Sequence, residues 1–294
     1  MIGEQQVHKH GFVKLLEVMG NDEEVENAAR ISYGIGTRKV SQTSNLIRYL
    51  MRHKHTSPFE MCEVKFHLKL PIFVMRQIVR HRTANINEYS GRYSIMSDEF
   101  YLPAEKDVHE QSKENNQGRG KELDEDNKML VLGRMHDVNE HAKGCYRQIS
   151  EPNELDGFYE GFKGIARELA RVILPVSNYT ECIWKIDLNN FFKFCNLRMD
   201  SHTQQETREF AEVMYELVKP EFPICCEAFE DYMFNSVTFS QKEMKIIKDS
   251  LNGSWVMGSA GIADGLDLRH SPHQKKYGLS KRESKEFLEK LKGI

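Results

Sequence analysis

Apolar and polar residues exchange places at every second position from Cys62 to Leu70. Cys62, Val64, Phe66, Leu68 and Leu70 alternate with Glu63, Lys65, His67 and Lys69. Successive side chains of a strand point to opposite faces, so this period predicts a half-buried antiparallel strand over 60–70. Tyr179 to Ile186, with Cys182, Ile183 and Trp184, predicts another, and Gly11 to Met19 (Phe12, Val13, Leu15, Val18) a third. Elsewhere the apolar spacing lengthens to that of amphipathic helices. Asn21 is placed to cap a helix whose first turn holds Asp22, Glu23 and Glu24, where the helix dipole favours negative charge. Val25, Ala28, Ala29 and Ile31 form its apolar face, and Gly34-Ile35-Gly36 breaks it. That GxG lacks the third glycine and the feeding strand of a dinucleotide fingerprint. Further helices are predicted over 44–53 (Leu46, Ile47, Leu50, Met51 inward) and from Pro71 (Ile72, Phe73, Met75, Ile78, Val79). Others follow over 126–150 (Met129, Leu132, Met135, Val138), 159–172 (Phe162, Ile165, Leu169, Val172), 188–199 behind the cap Asp187, 203–219 (Phe210, Val213, Met214, Leu217) and, in a short piece, 225–234.

These elements predict an α/β fold of the α+β type: a twisted, mostly antiparallel sheet flanked by helices, with a helical excursion from about Asp126 to Arg171. Glu105 to Lys128 is strongly polar and reads as an exposed insertion. Composition changes beyond Asn235, so the chain is divided into a domain over 1–235 and a C-terminal extension over 236–294. Within the extension 240–251 and 275–292 look helical and 258–265 is small and loose; no internal repeat or heptad pattern is evident.

The chain has 294 residues, 39% hydrophobic and 29% charged, with a net charge of −3. That balance argues against a general nucleic-acid binder, which needs a basic surplus or face. No apolar run approaches the roughly 20 residues of a membrane span, and the first ten residues hold no apolar signal core. A cytoplasmic protein that engages no membrane is the expectation. Cys62, Cys145, Cys182, Cys195, Cys225 and Cys226 form no CxxC pair and read as free thiols. His53 and His55 lie on a turn with no third ligand nearby, so no metal is expected.

One stretch fits neither period. From Arg80 to Ser94 the chain holds three arginines, a histidine, a glutamate, two asparagines, two tyrosines and two serines, with hardly an aliphatic among them. Burying those groups without partners would cost roughly 2–7 kcal/mol each. Arginine is favoured where phosphate or carboxylate is gripped by a planar fork. The residues alone therefore point to an anion-binding loop for a phosphorylated, planar ligand, with Gln77 and Arg80 at its mouth.

Arg80-His81-Arg82, seven further residues, then Ser90-Gly91-Arg92-Tyr93-Ser94 resembles the signature of the flavin-dependent thymidylate synthases. His55, Ser57, Pro58, Phe59 and Glu60 match that family's His-x-[Ser/Thr]-Pro-Phe-Glu segment, Ala170-Arg171 with Leu174-Pro175 its Ala-Arg-x-x-Leu-Pro, and Leu197-Arg198 with Asp200 and His202 its Leu-Arg-x-Asp-x-His. The resemblance runs from about Gly11 to about Phe234. It implies reductive methylation of deoxyuridylate (dUMP) to thymidylate (dTMP), with 5,10-methylenetetrahydrofolate as one-carbon donor and NADPH as reductant through bound FAD. It implies that Arg198 contacts the pyrimidine and is catalytic, and that Gln77, Arg80, Glu88, Tyr89, Ser90, Gly91, Arg92 and Arg171 hold the nucleotide with it. Ser57, Arg80, His81, Arg82, Glu88, Asp187, Asn189, Lys193 and His202 would face FAD. A homotetramer with shared active sites is implied as well. The chain departs from many members at Asp187-Leu188-Asn189, where they have Asn-x-Arg, and at Lys193, where they have Asn; Lys193 could replace the missing cation. Two other readings stay open: a flavoprotein with a different nucleotide substrate, and a non-catalytic nucleotide- or RNA-binding module. A yellow protein that bleaches with NADPH excludes the module, and conversion of dUMP separates the two enzymes.

Overall fold

The structure, a computed structural model, describes residues 2–31, 43–113, 118–151, 162–252 and 278–292. The Gly34-Ile35-Gly36 break, the beginning of the helix expected over 159–172 and the loose 258–265 stretch lie outside them. The chain divides into two compact units, Met1–Phe234 and Asn235–Ile294.

The first unit is built on a five-stranded antiparallel sheet. Its strands are β1 (Gly3–Val7), β2 (Gly11–Met19), β3 (Glu63–Pro71), β4 (Asn85–Glu88) and a long strand, Tyr179–Asp187, numbered β7 below; their order is β1-β2-β3-β7-β4. The alternation does what its period requires. Val64, Phe66 and Leu68 on β3 are fully buried and face Ile186, Trp184 and Cys182 across the ladder. On the other face the polar set pairs with itself, Lys185 with Glu63 at 2.7 Å and His67 with Glu181 at 2.9 Å.

Helices α1 (Asp22–Arg30), α2 (Thr43–Arg52) and α3 (Ile72–Ile78) have the predicted bounds within a residue or two, but Ile31, expected on the apolar face of α1, caps its C-terminus and is exposed. Residues 80–94, read as a loop, contain β4, which pairs with the long strand at the sheet edge. A four-residue strand with every side chain exposed leaves no apolar alternation to read. The polar insertion is ordered where described: β5 (His109–Gln111) and β6 (Arg119–Glu122) form a hairpin. Next comes α4 (Glu125–Ser150), whose expected inward stripe points out: Met129 is 72% and Val138 60% exposed, while Lys128, Asn139 and Tyr146 are buried. In α3 it is Val74, not Val79, that is buried. The described part of the helix expected over 159–172 reduces to α5 (Arg167–Ala170) and a 3₁₀ turn, Arg171–Ile173. Upstream, the Ile165 N–H donates to the Ile149 carbonyl at 2.8 Å instead of to a helical neighbour.

After β7 come α6 (Leu188–Arg198), α7 (Gln205–Val218) and α8 (Pro223–Phe229). The Asp187 side chain caps α6 as expected, accepting from the Asn190 N–H at 2.9 Å. α6 docks through aromatics: Phe191 stacks on Phe66 at 5.8 Å and Phe194 lies 5.1 Å from Trp184. Such buried rings contribute about 1.5–3 kcal/mol each in transfer terms, so α6 is fixed firmly enough to aim the residue at its end.

One capping contact crosses the fold. Asp22, buried in the first turn of α1, accepts from the backbone N–H groups of Ile224 and Cys225 at 2.8 and 2.9 Å, closing the N-terminus of α8. Replacing it by alanine strands two donors, one half-buried and one buried, each worth up to about 1–3 kcal/mol. Asp22→Ala is expected to lose roughly 2–4 kcal/mol in urea unfolding, with Asp22→Asn losing less; equal stability of Asp22→Ala and the parent would contradict the contact.

The second unit joins α9 (Gln241–Asn252) and α10 (Lys281–Lys292). Both open on the same device, Ser-x-x-Glu: Ser240 and Glu243 exchange backbone-to-side-chain hydrogen bonds at 2.6 and 3.3 Å, Ser280 and Glu283 at 2.7 and 3.2 Å. This reciprocal box satisfies two orphan helix donors at once. Ile246, Leu279, Phe287 and Leu291 form the unit's core, and Lys290 pairs with Glu243 at 2.8 Å. Among the described residues no helix is long and apolar enough to cross a membrane.

Candidate functional site

The end of α3 and the end of α6 bring three of the predicted groups together. Arg198, the last residue of α6, donates from Nε to His81 Nε2 at 3.1 Å and from Nη2 to the Gln77 carbonyl at 3.2 Å. His81 therefore accepts with Nε2 and is neutral. Burial first, and the Arg198 charge second, push its pKa down to about 4. The ring is braced edge-on by Phe194 at 5.0 Å. Arg198 is half-buried, and its own pKa is lowered by burial and then by the neighbouring Arg80. Among the described residues no carboxylate forms an ion pair with Arg198, Arg80 or Arg82. Arg198 with exposed Arg80 beside it, and no carboxylate on either among the described residues, is an arrangement that can accept an anion. The Gln77 side chain donates from Nε2 to Gln204 Oε1 at 2.6 Å.

A second group lies where β4 runs into the following loop. The Glu88 carboxylate accepts from Thr180 Oγ1 at 2.9 Å, and the Tyr89 N–H donates to the Glu181 carbonyl at 2.8 Å. The Ser90 carbonyl accepts from the N–H groups of Tyr93 and Ser94 at 3.1 and 3.2 Å, winding the chain into a tight turn. Gly91 is buried there, and a Cβ on it would lie 2.6 Å from Met96 Sδ and 3.1 Å from Arg171 Cδ. The glycine thus admits Met96 and Arg171. Arg92 pairs with Glu168 at 3.3 Å, both more than half exposed, and Arg167 donates to the Tyr93 carbonyl at 3.0 Å. α5 and its 3₁₀ turn therefore pack their basic side chains onto the motif loop.

The third group is at the opposite end of α6. Both Asp187 oxygens are taken up by Asn190, through its backbone and side-chain nitrogens at 2.9 and 2.8 Å. Asn189 is buried and donates to Glu60 at 3.2 Å. Ser57 and Lys193 are exposed. An 11-residue helix is about 16 Å long, so Asp187 and Asn189 do not meet Arg198 within one chain. His202, past the end of α6, has a 76% exposed side chain bonded to Asp200 at 2.9 Å. The expected residues thus form three groups: Gln77, Arg80, His81 and Arg198; Glu88 to Arg92 with Arg171; and Asp187 and Asn189 with, through Glu60, Ser57, while Lys193 lies midway along α6.

No thiol joins them. Burial pushes the Cys182 thiol up to about 12 and the Cys62 thiol up to about 11, far from a thiolate nucleophile at neutral pH. His53 and His55 have ring centroids 6.3 Å apart, each against Tyr49. Among the described residues no three metal-ligating side chains cluster. Gln204, Arg167 and Glu168 were missed in the sequence. Gln204 occupies a helix N-cap position, and a poor capper there was the one available signal.

Residues 14–224 match the family model described as thymidylate synthase complementing protein. The chain is 44% identical to a flavin-dependent thymidylate synthase of Gluconobacter oxydans, over 98% of this chain and 87% of that one. It is 46% identical to one of Dictyostelium discoideum, over 83% and 80%. Among solved structures it is similar to the UMP/dUMP methylase PolB of Streptomyces cacaoi bound with 5-Br UMP: TM-score 0.66, 30% identity, 79% of this chain and 99% of that one. The same enzyme bound with 5-Br dUMP gives a TM-score of 0.67.

Proposed function

The chain belongs to the flavin-dependent thymidylate synthase family, and from that we propose that it methylates dUMP reductively to dTMP. Methylenetetrahydrofolate is the one-carbon donor and NADPH the reductant. FAD, when bound, supplies the relay of reducing equivalents. The observation that carries this reading is the half-buried Arg198 beside Arg80 with no carboxylate to neutralise either among the described residues.

In this reading Arg198 lies against the pyrimidine and stabilises negative charge developing on the ring, while neutral His81 fixes the guanidinium in place. Gln77, Arg80, Glu88, Tyr89, Ser90, Gly91, Arg92 and Arg171 hold the nucleotide, with the Ser90–Gly91–Arg92 turn and Arg171 taking its phosphate. Arg80, His81, Arg82, Glu88 and His202 hold FAD from one side and Ser57, Asp187, Asn189 and Lys193 from the other. The donor set fits a phosphorylated ring system: exposed guanidinium groups of Arg80 and Arg82 supply charge, and Ser57 and Lys193 supply exposed polar tips. Separation of the three groups supports sites assembled from several copies in a homotetramer. Exposed Met129, Leu130 and Val138 on α4, with Leu169 and Val172, offer apolar area for contacts between copies. A cytoplasmic setting belongs to the same proposal.

Protein incubated with FAD, NADPH, methylenetetrahydrofolate and dUMP should form dTMP, and omitting any small molecule should abolish it. Methylation of UMP in preference to dUMP would favour the second reading, a changed nucleotide substrate, which the likeness to a UMP/dUMP methylase keeps specific. Lys193→Ala is expected to weaken FAD binding more than dUMP binding; an unchanged FAD titration, or equal losses, would refute the role given to Lys193.

A further inference from the structure

Helix α7 begins on an unusual residue. Its N-cap is Gln204, whose side chain makes no capping hydrogen bond. Serine, threonine, aspartate and asparagine are preferred there because a short side chain can reach back to the helix N–H groups; lacking such a cap costs about 1 kcal/mol. Gln204 instead turns its carboxamide to Gln77, accepting from Nε2 at 2.6 Å. A glutamine amide carries two N–H donors and one acceptor oxygen. With one N–H given to Gln204, the Gln77 amide keeps one donor and its oxygen for a ligand.

The turn that carries Gln204 is itself held from three sides. Thr203 Oγ1 donates to the Leu197 carbonyl at 2.7 Å, tying the turn to the end of α6 one residue before Arg198. Arg208 Nη1 reaches the Ser201 carbonyl at 3.4 Å. On the far side, buried Glu206 accepts from Tyr101 at 2.7 Å and pairs with Arg119, which also donates to Gln205 at 2.7 Å. The β5–β6 hairpin thereby braces the first turn of α7.

We propose that Gln204 is a positioning residue for nucleotide binding: it orients the Gln77 carboxamide toward dUMP and gives up helix capping to do so. This rests on the reading of Gln77 as a nucleotide contact. The test uses the full chain loaded with FAD, titrated with dUMP and melted in parallel. Gln204→Ser supplies a better cap and removes the acceptor. It is expected to melt at the same or a higher temperature yet bind dUMP roughly fivefold more weakly, the worth of one neutral hydrogen bond. In a Gln77→Ala background Gln204→Ser should change dUMP affinity no further. Unaltered dUMP binding by Gln204→Ser, or the same loss with and without Gln77, overturns the positioning role. If Gln77→Ala itself binds dUMP as the parent does, the nucleotide role of Gln77 falls with it.

Discussion

Arg198→Ala is expected to lower kcat for dTMP formation by roughly two to three orders of magnitude while the protein still folds and still binds FAD. The magnitude follows from the environment. A guanidinium that is half-buried and unneutralised acts on developing charge through a medium less screening than water. Its direction is fixed by two hydrogen bonds, to His81 Nε2 and to the Gln77 carbonyl. Lysine carries the charge without the planar fork, so Arg198→Lys should recover little. The same substitution has a spectroscopic signature. Burial is the larger cause of the depressed His81 pKa and survives in Arg198→Ala; the Arg198 charge is the smaller cause and is removed. The His81 pKa should therefore rise from about 4 yet stay below the usual histidine value of about 6.5 in NMR titration. Near-parental kcat in Arg198→Ala would remove the arginine from the chemistry.

Gly91→Ala is expected to weaken dUMP binding by about 10- to 100-fold, a larger penalty than one methyl group carries on a surface. The added carbon forces a shift: Met96 Sδ would lie at 2.6 Å and Arg171 Cδ at 3.1 Å. Met96 is buried in a small cluster with Tyr146 and Ala170, so it cannot simply swing away. Its N–H is also held by the Tyr146 hydroxyl at 3.0 Å. Relief must come from Arg171 or from the turn that carries Ser90 and Arg92, the groups assigned to the nucleotide. Overpacking of this kind costs about 1–3 kcal/mol of stability, so urea unfolding should show a modest loss beside the large binding defect. A dUMP titration indistinguishable from the parent would show that the turn does not serve the nucleotide.

Three strands of the sheet were legible because they are long and alternate: Val64, Phe66 and Leu68 in, Glu63, Lys65 and His67 out, and likewise along Gly11–Met19 and Tyr179–Asp187, whereas the mostly polar β1 carried no such signal. Asn21 and Asp187 announced their helices because a short polar side chain before an apolar period has one good use. β4 was illegible for the converse reason. Its four side chains are all exposed, so the polar composition hid a strand held by backbone pairing to Tyr179–Asp187. On α4 the apolar period was real, but Met129 and Val138 face away from the chain's own core, and periodicity does not say which body covers a face. The polar insertion was ordered by tertiary partners distant in sequence, Arg119 with Glu206 above all. In the site, residue types and spacing indicated an anion-binding loop. They could not show that His81 accepts from Arg198, that Gly91 makes room for Met96, or that Asp187 spends both oxygens on its own helix. Those are facts of three-dimensional placement.

Crystallising the protein with FAD and dUMP measures most directly whether the unneutralised arginines exist for two phosphorylated ligands. The predicted electron density places Arg198 against the uracil, Ser90 to Arg92 and Arg171 around the nucleotide phosphate, and Arg80, His81 and Arg82 along the flavin, with more than one copy contributing to each site. Density showing these side chains directed into solvent, with both ligands bound elsewhere or not at all, would contradict it.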